Sequence, residues 1–339
     1  MQPFIWNGDS LLILDQSKLP LEEKWIRCRD LECVARAIEN LKVRGAPAIG
    51  ISAGYALAIS AIKSSAKDPE IFREEINKAA ERLKITRPTA VNLFWAIDRI
   101  LDLIYKYDDV TLLREKIVEE ANKIMEEDME ANKKIGEFGY EFLKDKKSVL
   151  THCNAGGLAT SGYGTALAPI KTCWARGHRI GVFVTETRPL LQGARLTAYE
   201  LKKENIPVTL ITDNMVAHLM ANEMLDAVLV GADRILRTGH VVNKIGTYGI
   251  AILAEKHRIP FYVAAPSSTF DLKKGVEEVI IEERDPEEVT HIGEKRIAPE
   301  GIEVFNPAFD ITPPNMIDAI FTEKGVLRPP YEESILSII

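Results

Sequence analysis

The sequence predicts an α/β protein: a mostly helical N-terminal domain that starts with a small β-hairpin, then a domain built on a parallel sheet with covered faces. Three observations predict it. Short apolar runs recur at 148–151, 180–185, 208–212, 227–230 and 261–265, with helical stretches at 165–176, 193–203, 214–223 and 246–257 between them. Strands buried on both faces and separated by helices read this way. Ahead of them the apolar spacing is that of amphipathic helices, up to a long charged stretch at 111–144. Finally, the first run ends in Thr151-His152-Cys153-Asn154 and turns through Gly156, Gly157, Gly162 and Gly164. Strand, glycine loop and helix in that order are how an open α/β sheet builds a ligand site.

The elements follow in order. FIWN and LLILD flank Gly8-Asp9-Ser10, a hairpin signal, and residues 23–29 read as a third extended run. Asp30 can cap a helix whose stripe is Leu31, Val34, Ile38 and Leu41. A small-residue helix follows Pro47 and runs to Ile62. Another spans 69–84, ended by Thr86-Arg87-Pro88-Thr89, since Pro88 biases Arg87 away from helical dihedrals. Helix resumes over 90–104, and the stretch 111–144 is expected to break near Gly136 or Gly139. The polar joint Lys144-Asp145-Lys146-Lys147 sets the expected boundary between domains 1–145 and 146–339. Six prolines in the last fifty residues predict an irregular layer of short strands and helices.

Composition excludes some functions. A net charge of −7 argues against a nucleic-acid platform, while leaving room for a local basic pocket. Cys28, Cys33, Cys153 and Cys173 show no paired spacing, so no disulfide framework is expected and a reducing cytoplasm is. The first residues lack the basic start and apolar core of a signal peptide, and no apolar run is read as reaching membrane-span length. No metal is expected, because Cys28-x₄-Cys33 is not a ligand set and no HExxH occurs. No dinucleotide cofactor is expected either: Leu167 stands where a G-x-G-x-x-G loop needs its last glycine.

Polar residues gather at the strand ends: Thr151 to Asn154, then Thr185-Glu186-Thr187-Arg188, then Thr212-Asp213-Asn214, then Gly231-Ala232-Asp233-Arg234. In a parallel sheet these ends share one edge, where ligands bind. Asp233 leaves a buried strand directly. Desolvation would raise its pKa and make it a proton donor near neutrality; Arg234 or Lys244 in reach would lower it. His152 and Cys153 are strand neighbours and point to opposite faces, so His152 reads as structural rather than as a Cys–His dyad. Arg44 and Arg87 each precede a helix start, where a guanidinium and free N–H groups can share a phosphate, or each forms a surface salt bridge. Lys244, in the polar turn Asn243-Lys244-Ile245-Gly246-Thr247, is either a phosphate ligand or a solvent-facing lysine.

Six motifs in order, VRGAPAIG (43–50), RPTAVNLFWA (87–96), THCNAGG (151–157), TETRPLLQGARLTA (185–198), GADRI (231–235) and NKIGTYG (243–249), resemble the methylthioribose-1-phosphate isomerase family. That family of aldose–ketose isomerases in methionine salvage shares a fold with ribose-1,5-bisphosphate isomerases. The regulatory subunits of the exchange factor for initiation factor two share it too. The resemblance covers nearly the whole chain. It implies a mostly helical N-terminal domain and a Rossmann-like C-terminal domain, usually as a homodimer, acting on a small sugar phosphate. The family's catalytic pair falls on Cys153 and Asp233, and its substrate contacts on Arg44, Gly45, Ala46, Arg87, Gln192, Asn243 and Lys244. Gln192 enters through the resemblance alone. Isomerases of ribose 1,5-bisphosphate or 5-deoxyribose 1-phosphate, and a non-catalytic regulatory subunit, remain as alternatives.

Overall fold

In the computed structural model, which describes residues 1–339, the chain forms two compact units. The first is Met1–Asn132 with Gly156–Gly164; the second is Lys133–Ala155 with Thr165–Ile339.

The first unit opens with β1 (Phe4–Trp6), β2 (Leu11–Leu14) and β3 (Trp25–Cys28), an antiparallel sheet in that order. Asp30 caps α1 (Leu31–Glu39), its Oδ1 accepting the Cys33 N–H at 2.8 Å. The end of β3 and the start of α1 bring Cys28 and Cys33 to a Cα separation of 5.3 Å, and the two form a disulfide. This corrects the expectation that all the cysteines are unpaired: a spacing that means nothing for a metal suits a strand that turns straight into a helix. Around these pack α2 (Ala46–Lys63), α3 (Pro69–Lys84), α4 (Val91–Ile104) and the first part of α5 (Val110–Leu143).

By length and composition α2 is apolar enough to cross a membrane, which corrects the reading that no run reaches that length. Most of it is buried in the protein, against α1, α3 and α4. A helix apolar on all sides is what a central core position requires. The glycine loop 156–164 is tied down within this unit: Gln16 Nε2 donates to the Leu158 carbonyl at 2.7 Å, and the Ser161 N–H to Asp128 Oδ2 at 2.7 Å.

The expected break in the long helix is absent; α5 runs unbroken for 34 residues. Its glycines mark close packing instead. A Cβ on Gly139 would lie 2.3 Å from Pro169 Cγ, and one on Gly136 2.6 Å from Thr172 Oγ1, both on α6 (Leu167–Ala175). Helix interiors tolerate a glycine where a neighbour needs the space.

The second unit holds a seven-stranded sheet made of β4 (Ser148–Thr151), β5 (Gly181–Thr185), β6 (Val208–Ile211), β7 (Val228–Val230), β10 (Phe261–Ala264), β15 (Ala319–Thr322) and β16 (Gly325–Leu327). The order is β16-β15-β10-β7-β4-β5-β6, all parallel except β16. The helices are α6, α7 (Ala198–Lys203), α8 (Val216–Ala221), α9 (Thr247–His257), the short α10 (Glu287–Thr290) and α11 (Tyr331–Ile338).

The proline-rich end is less irregular than expected, because β15 is a fully buried strand of the main sheet. A second sheet, β11-β8-β9-β14, was not anticipated. Its members β8 (Arg234–Leu236), β9 (Val241–Lys244), β11 (Phe270–Asp271) and β14 (Phe309–Thr312) have two to four residues each, too few for a period to show. A two-stranded ribbon, β12 (His291–Ile292) and β13 (Lys295–Arg296), completes the count.

Candidate active site

The chain lays down β4, β5 and β6 moving one way, then returns to the other side of β4 with β7 and continues through β10 to β15. The connections therefore diverge between β4 and β7. Open α/β sheets bind ligands in that crevice, outside the carboxyl ends of the strands. Cys153 lies two residues beyond β4, and Asp233 three beyond β7. The two loops touch: a Cβ on Gly231 would lie 2.7 Å from Ala155 Cβ.

Cys153 is buried and has φ 61°, a left-handed conformation rarely taken by residues other than glycine. Its N–H donates to Thr187 Oγ1 at 2.9 Å, and its carbonyl accepts the Thr197 hydroxyl at 2.6 Å. Thr187 is itself at φ 65°, and the Asp213 carboxylate accepts both its N–H at 2.8 Å and that of Arg188 at 2.7 Å. Asp213 thus clamps the turn after β5. On the next residue, Asn154 Nδ2 donates to Glu200 Oε1 at 2.8 Å. Glu200 is fully buried, and the Lys171 ammonium lies 3.9 Å from it and 2.8 Å from Glu204. Burial pushes the Glu204 carboxyl up, but the positive charge around it, that of Lys171 foremost, brings the group below its usual range.

His152 is buried, but it lies just past β4, as Cys153 does, so strand alternation is not what separates the two side chains. Its Nε2 bonds the Ile245 carbonyl at 2.9 Å and its Nδ1 the Thr185 hydroxyl at 2.6 Å. Desolvation holds its pKa below the ordinary histidine value, so the ring is neutral near pH 7.

Asp233 is half-buried, and its N–H donates to the Val242 carbonyl at 2.9 Å, joining it to β9. Arg234 faces the Asp271 carboxylate at 3.6 Å. Asn243 and Lys244 lie inside β9 rather than in a turn, and both are buried. Asn243 Nδ2 donates to Thr247 Oγ1 at 3.0 Å; Lys244 Nζ donates to the Ala308 carbonyl at 2.9 Å and sits over the Phe309 ring. Lys244 is therefore not a solvent-facing lysine. The amides of Gly246 and Tyr248 at the start of α9 donate to Asp310, whose carboxyl burial pushes up to about 6. Gln192 is 5% exposed, and its Oε1 is buried without a hydrogen-bond partner.

In the first unit, Arg44 precedes Gly45, the N-cap of α2, at φ 95°. Glycine is required there twice over, because a Cβ would also lie 2.5 Å from Ala159 Cβ in the glycine loop. No side chain caps α2, so its first amides, Ala46 among them, form an anion-compatible end. Arg87 is half-buried in the turn between α3 and α4.

Several polar residues escaped sequence reasoning. Thr197, Glu200 and Asp310 sit within helical or proline-flanked segments whose pattern carries no sign of them. Asp213 was visible as a strand end, but its role as a clamp was not.

A thiol and a carboxyl at the switch point of a parallel sheet define a Rossmann-like enzyme for a small ligand. The chain belongs to the initiation factor 2 subunit family, whose model matches residues 42–329. It is 51% identical to a methylthioribose-1-phosphate isomerase of Desulforamulus reducens, across 100% of this chain and 99% of the relative. It is 55% identical to a 5-deoxyribose 1-phosphate isomerase of Moorella thermoacetica, across 99% and 97%. The crystal structure of the 5-methylthioribose 1-phosphate isomerase of Pyrococcus horikoshii superposes with a TM-score of 0.93 at 44% identity, covering 99% of this chain and 95% of that one.

Proposed function

We propose that this protein is an aldose–ketose isomerase that converts 5-methylthioribose 1-phosphate to 5-methylthioribulose 1-phosphate in methionine salvage. The observation that carries the reading is that the loops bearing Cys153 and Asp233 touch just beyond adjacent strands, at the point where the sheet's connections diverge. Full-length identity to proteins named for that reaction supports it.

The substrate carries its phosphate on the anomeric oxygen and cannot open as a free sugar does. The C1–O4 bond must break as O4 takes a proton, leaving positive charge at C1. Asp233, protonated, supplies that proton. Hydrogen then moves from C2 to C1. A Cys153 thiolate removes it as a proton and returns it at C1 through an enediol-like intermediate, or it migrates as hydride while Cys153 stabilises the transition state. Arg44, Gly45, Ala46, Arg87, Gln192, Asn243 and Lys244 are the proposed substrate contacts, with the three cationic side chains holding phosphate and orienting the ring. The proposed working form is a cytoplasmic homodimer.

The test is turnover with 5-methylthioribose 1-phosphate, 5-deoxyribose 1-phosphate and ribose 1,5-bisphosphate side by side. The methylthio substrate should give the highest kcat/KM. Preference for the 5-deoxy sugar would transfer the assignment to that alternative, which the Moorella relative favours. No ketose from any of them would end the isomerase reading. Cys153→Ser and Asp233→Asn should each lower kcat by about 100-fold or more with the fold intact. Near-normal rates would remove those roles. Deuterium at C1 of product formed in D₂O would select proton transfer.

A further inference from the structure

We propose that Thr187 is a positioning residue for the Cys153 thiol, acting through a buried hydrogen-bond chain that runs Cys153–Thr187–Thr185–His152–Ile245. The proposal rests on the reading of Cys153 as the reacting thiol and deepens it.

Two adjacent left-handed residues motivate it. Cys153 at φ 61° and Thr187 at φ 65° both occupy a region that a side chain with Cβ disfavours, and threonine, branched at Cβ, disfavours it most. Such conformations persist only where the surroundings over-determine them, and they collect at reactive sites. Here the surroundings are explicit. The Cys153 N–H is held by Thr187 Oγ1, and its carbonyl by the Thr197 hydroxyl. The peptide groups on both sides of the cysteine are thereby pinned. Thr187 is pinned in turn by Asp213 on its N–H.

The direction of the chain follows from chemistry. The Ile245 carbonyl can only accept, so the neutral His152 ring carries its proton on Nε2 and accepts at Nδ1. The Thr185 hydroxyl must therefore donate to Nδ1. The Thr187 hydroxyl lies 3.1 Å from Thr185 Oγ1 and 3.2 Å from the Thr185 carbonyl, so it donates to Thr185. Its lone pair is left for the Cys153 N–H. The single Thr187 hydrogen goes to one of these two Thr185 oxygens, and the last carbonyl belongs to the residue after Lys244, a proposed substrate contact. Thr187 is fully buried, so water cannot replace a lost link.

The test uses the full chain with Thr187→Val, Thr187→Gly and Thr187→Ser. Valine keeps the shape and removes the hydroxyl. Glycine also removes the hydroxyl but relieves the backbone at φ 65°, so it keeps the experiment informative if the valine variant does not fold. The first readout is the rate of Cys153 alkylation by iodoacetamide, followed by mass spectrometry. Cys173 serves as the internal control, its thiol pushed up to about 11 by burial. The second is kcat against KM with the sugar phosphate.

Thr187→Val and Thr187→Gly should change the alkylation rate and lower kcat by about tenfold or more with KM little moved, the effect of one unmatched buried amide. Thr187→Ser should restore both. Folded valine and glycine variants that alkylate and turn over like the parent would overturn the proposal. A serine variant as impaired as valine would overturn it too, by reducing Thr187 to a packing role. Cys153→Ala keeps the two readings apart: if that variant stays active, the catalytic role of the thiol falls, while the alkylation rates still judge the positioning.

Discussion

Gly193 offers a direct test of how closely the two strand-end turns are fitted around Cys153. It opens the π-helical turn Gly193–Thr197, against the end of β5. A Cβ there would lie 1.8 Å from the Thr185 carbonyl oxygen and 2.9 Å from Thr187 Oγ1, where ordinary contact is 3.4–4 Å. No rotamer change relieves a clash with a backbone carbonyl, so Gly193→Ala must separate the turn from β5 by more than about 1 Å in a close-packed interior. Overpacking of that kind costs about 1–3 kcal/mol, which lowers the melting temperature by roughly 2–4 °C for each kcal/mol in a domain near this size. The displaced atoms are those that hold Cys153, and a misplacement of about 1 Å can lower kcat by about 100-fold.

Thermal melting and steady-state turnover measure both effects. Gly249→Ala is the control. It is exposed on α9 with nothing within 4 Å of the added Cβ, so it should stabilise by about 0.5–1 kcal/mol through helix propensity. A Gly193→Ala enzyme with unchanged melting temperature and kcat would refute the reasoning, as would identical behaviour of the two variants.

The remaining predictions concern stability. Asp310 titrates near 6 in the folded chain against an ordinary 3.8, because it is buried. Between those values the native state binds more protons than the unfolded one, so the contribution of this group falls as pH rises through about 4 to 6. The melting temperature of the parent relative to Asp310→Asn should therefore decline across that window; a difference that stays flat would contradict the assignment. Gly139→Ala would normally strengthen a helix by about 1 kcal/mol, but the added carbon meets Pro169 Cγ at 2.3 Å and Phe321 Cδ2 at 3.0 Å. Net destabilisation is expected in a denaturant titration, and a more stable variant would show that α5 and α6 are not packed as described.

Local chemistry was legible in the sequence. The hairpin, α1 with its Asp30 cap, α3 at Pro69–Lys84 and the strands β4, β5, β6, β7 and β10 all follow from period, capping and turn residues, because these signals act within a few positions of the chain. The polar strand ends marked the neighbourhood of the site for the same reason. What a glycine is for was not legible: Gly136 and Gly139 read as a helix break, yet they are the surface on which α6 packs. Nor was the pairing of Cys28 with Cys33, which depends on the angle at which β3 enters α1.

The order of the strands is also a long-range property. The chain alone lists β4, β5, β6 and β7 in sequence; only the folded sheet brings β7 back beside β4 and sets the loop of Asp233 against the loop of Cys153. The same holds for the hydroxyls of Thr187 and Thr197, 34 and 44 residues from the cysteine they hold. Side chains so distant in sequence leave no local pattern, because the hydrogen bonds that give them meaning exist only once the sheet has closed.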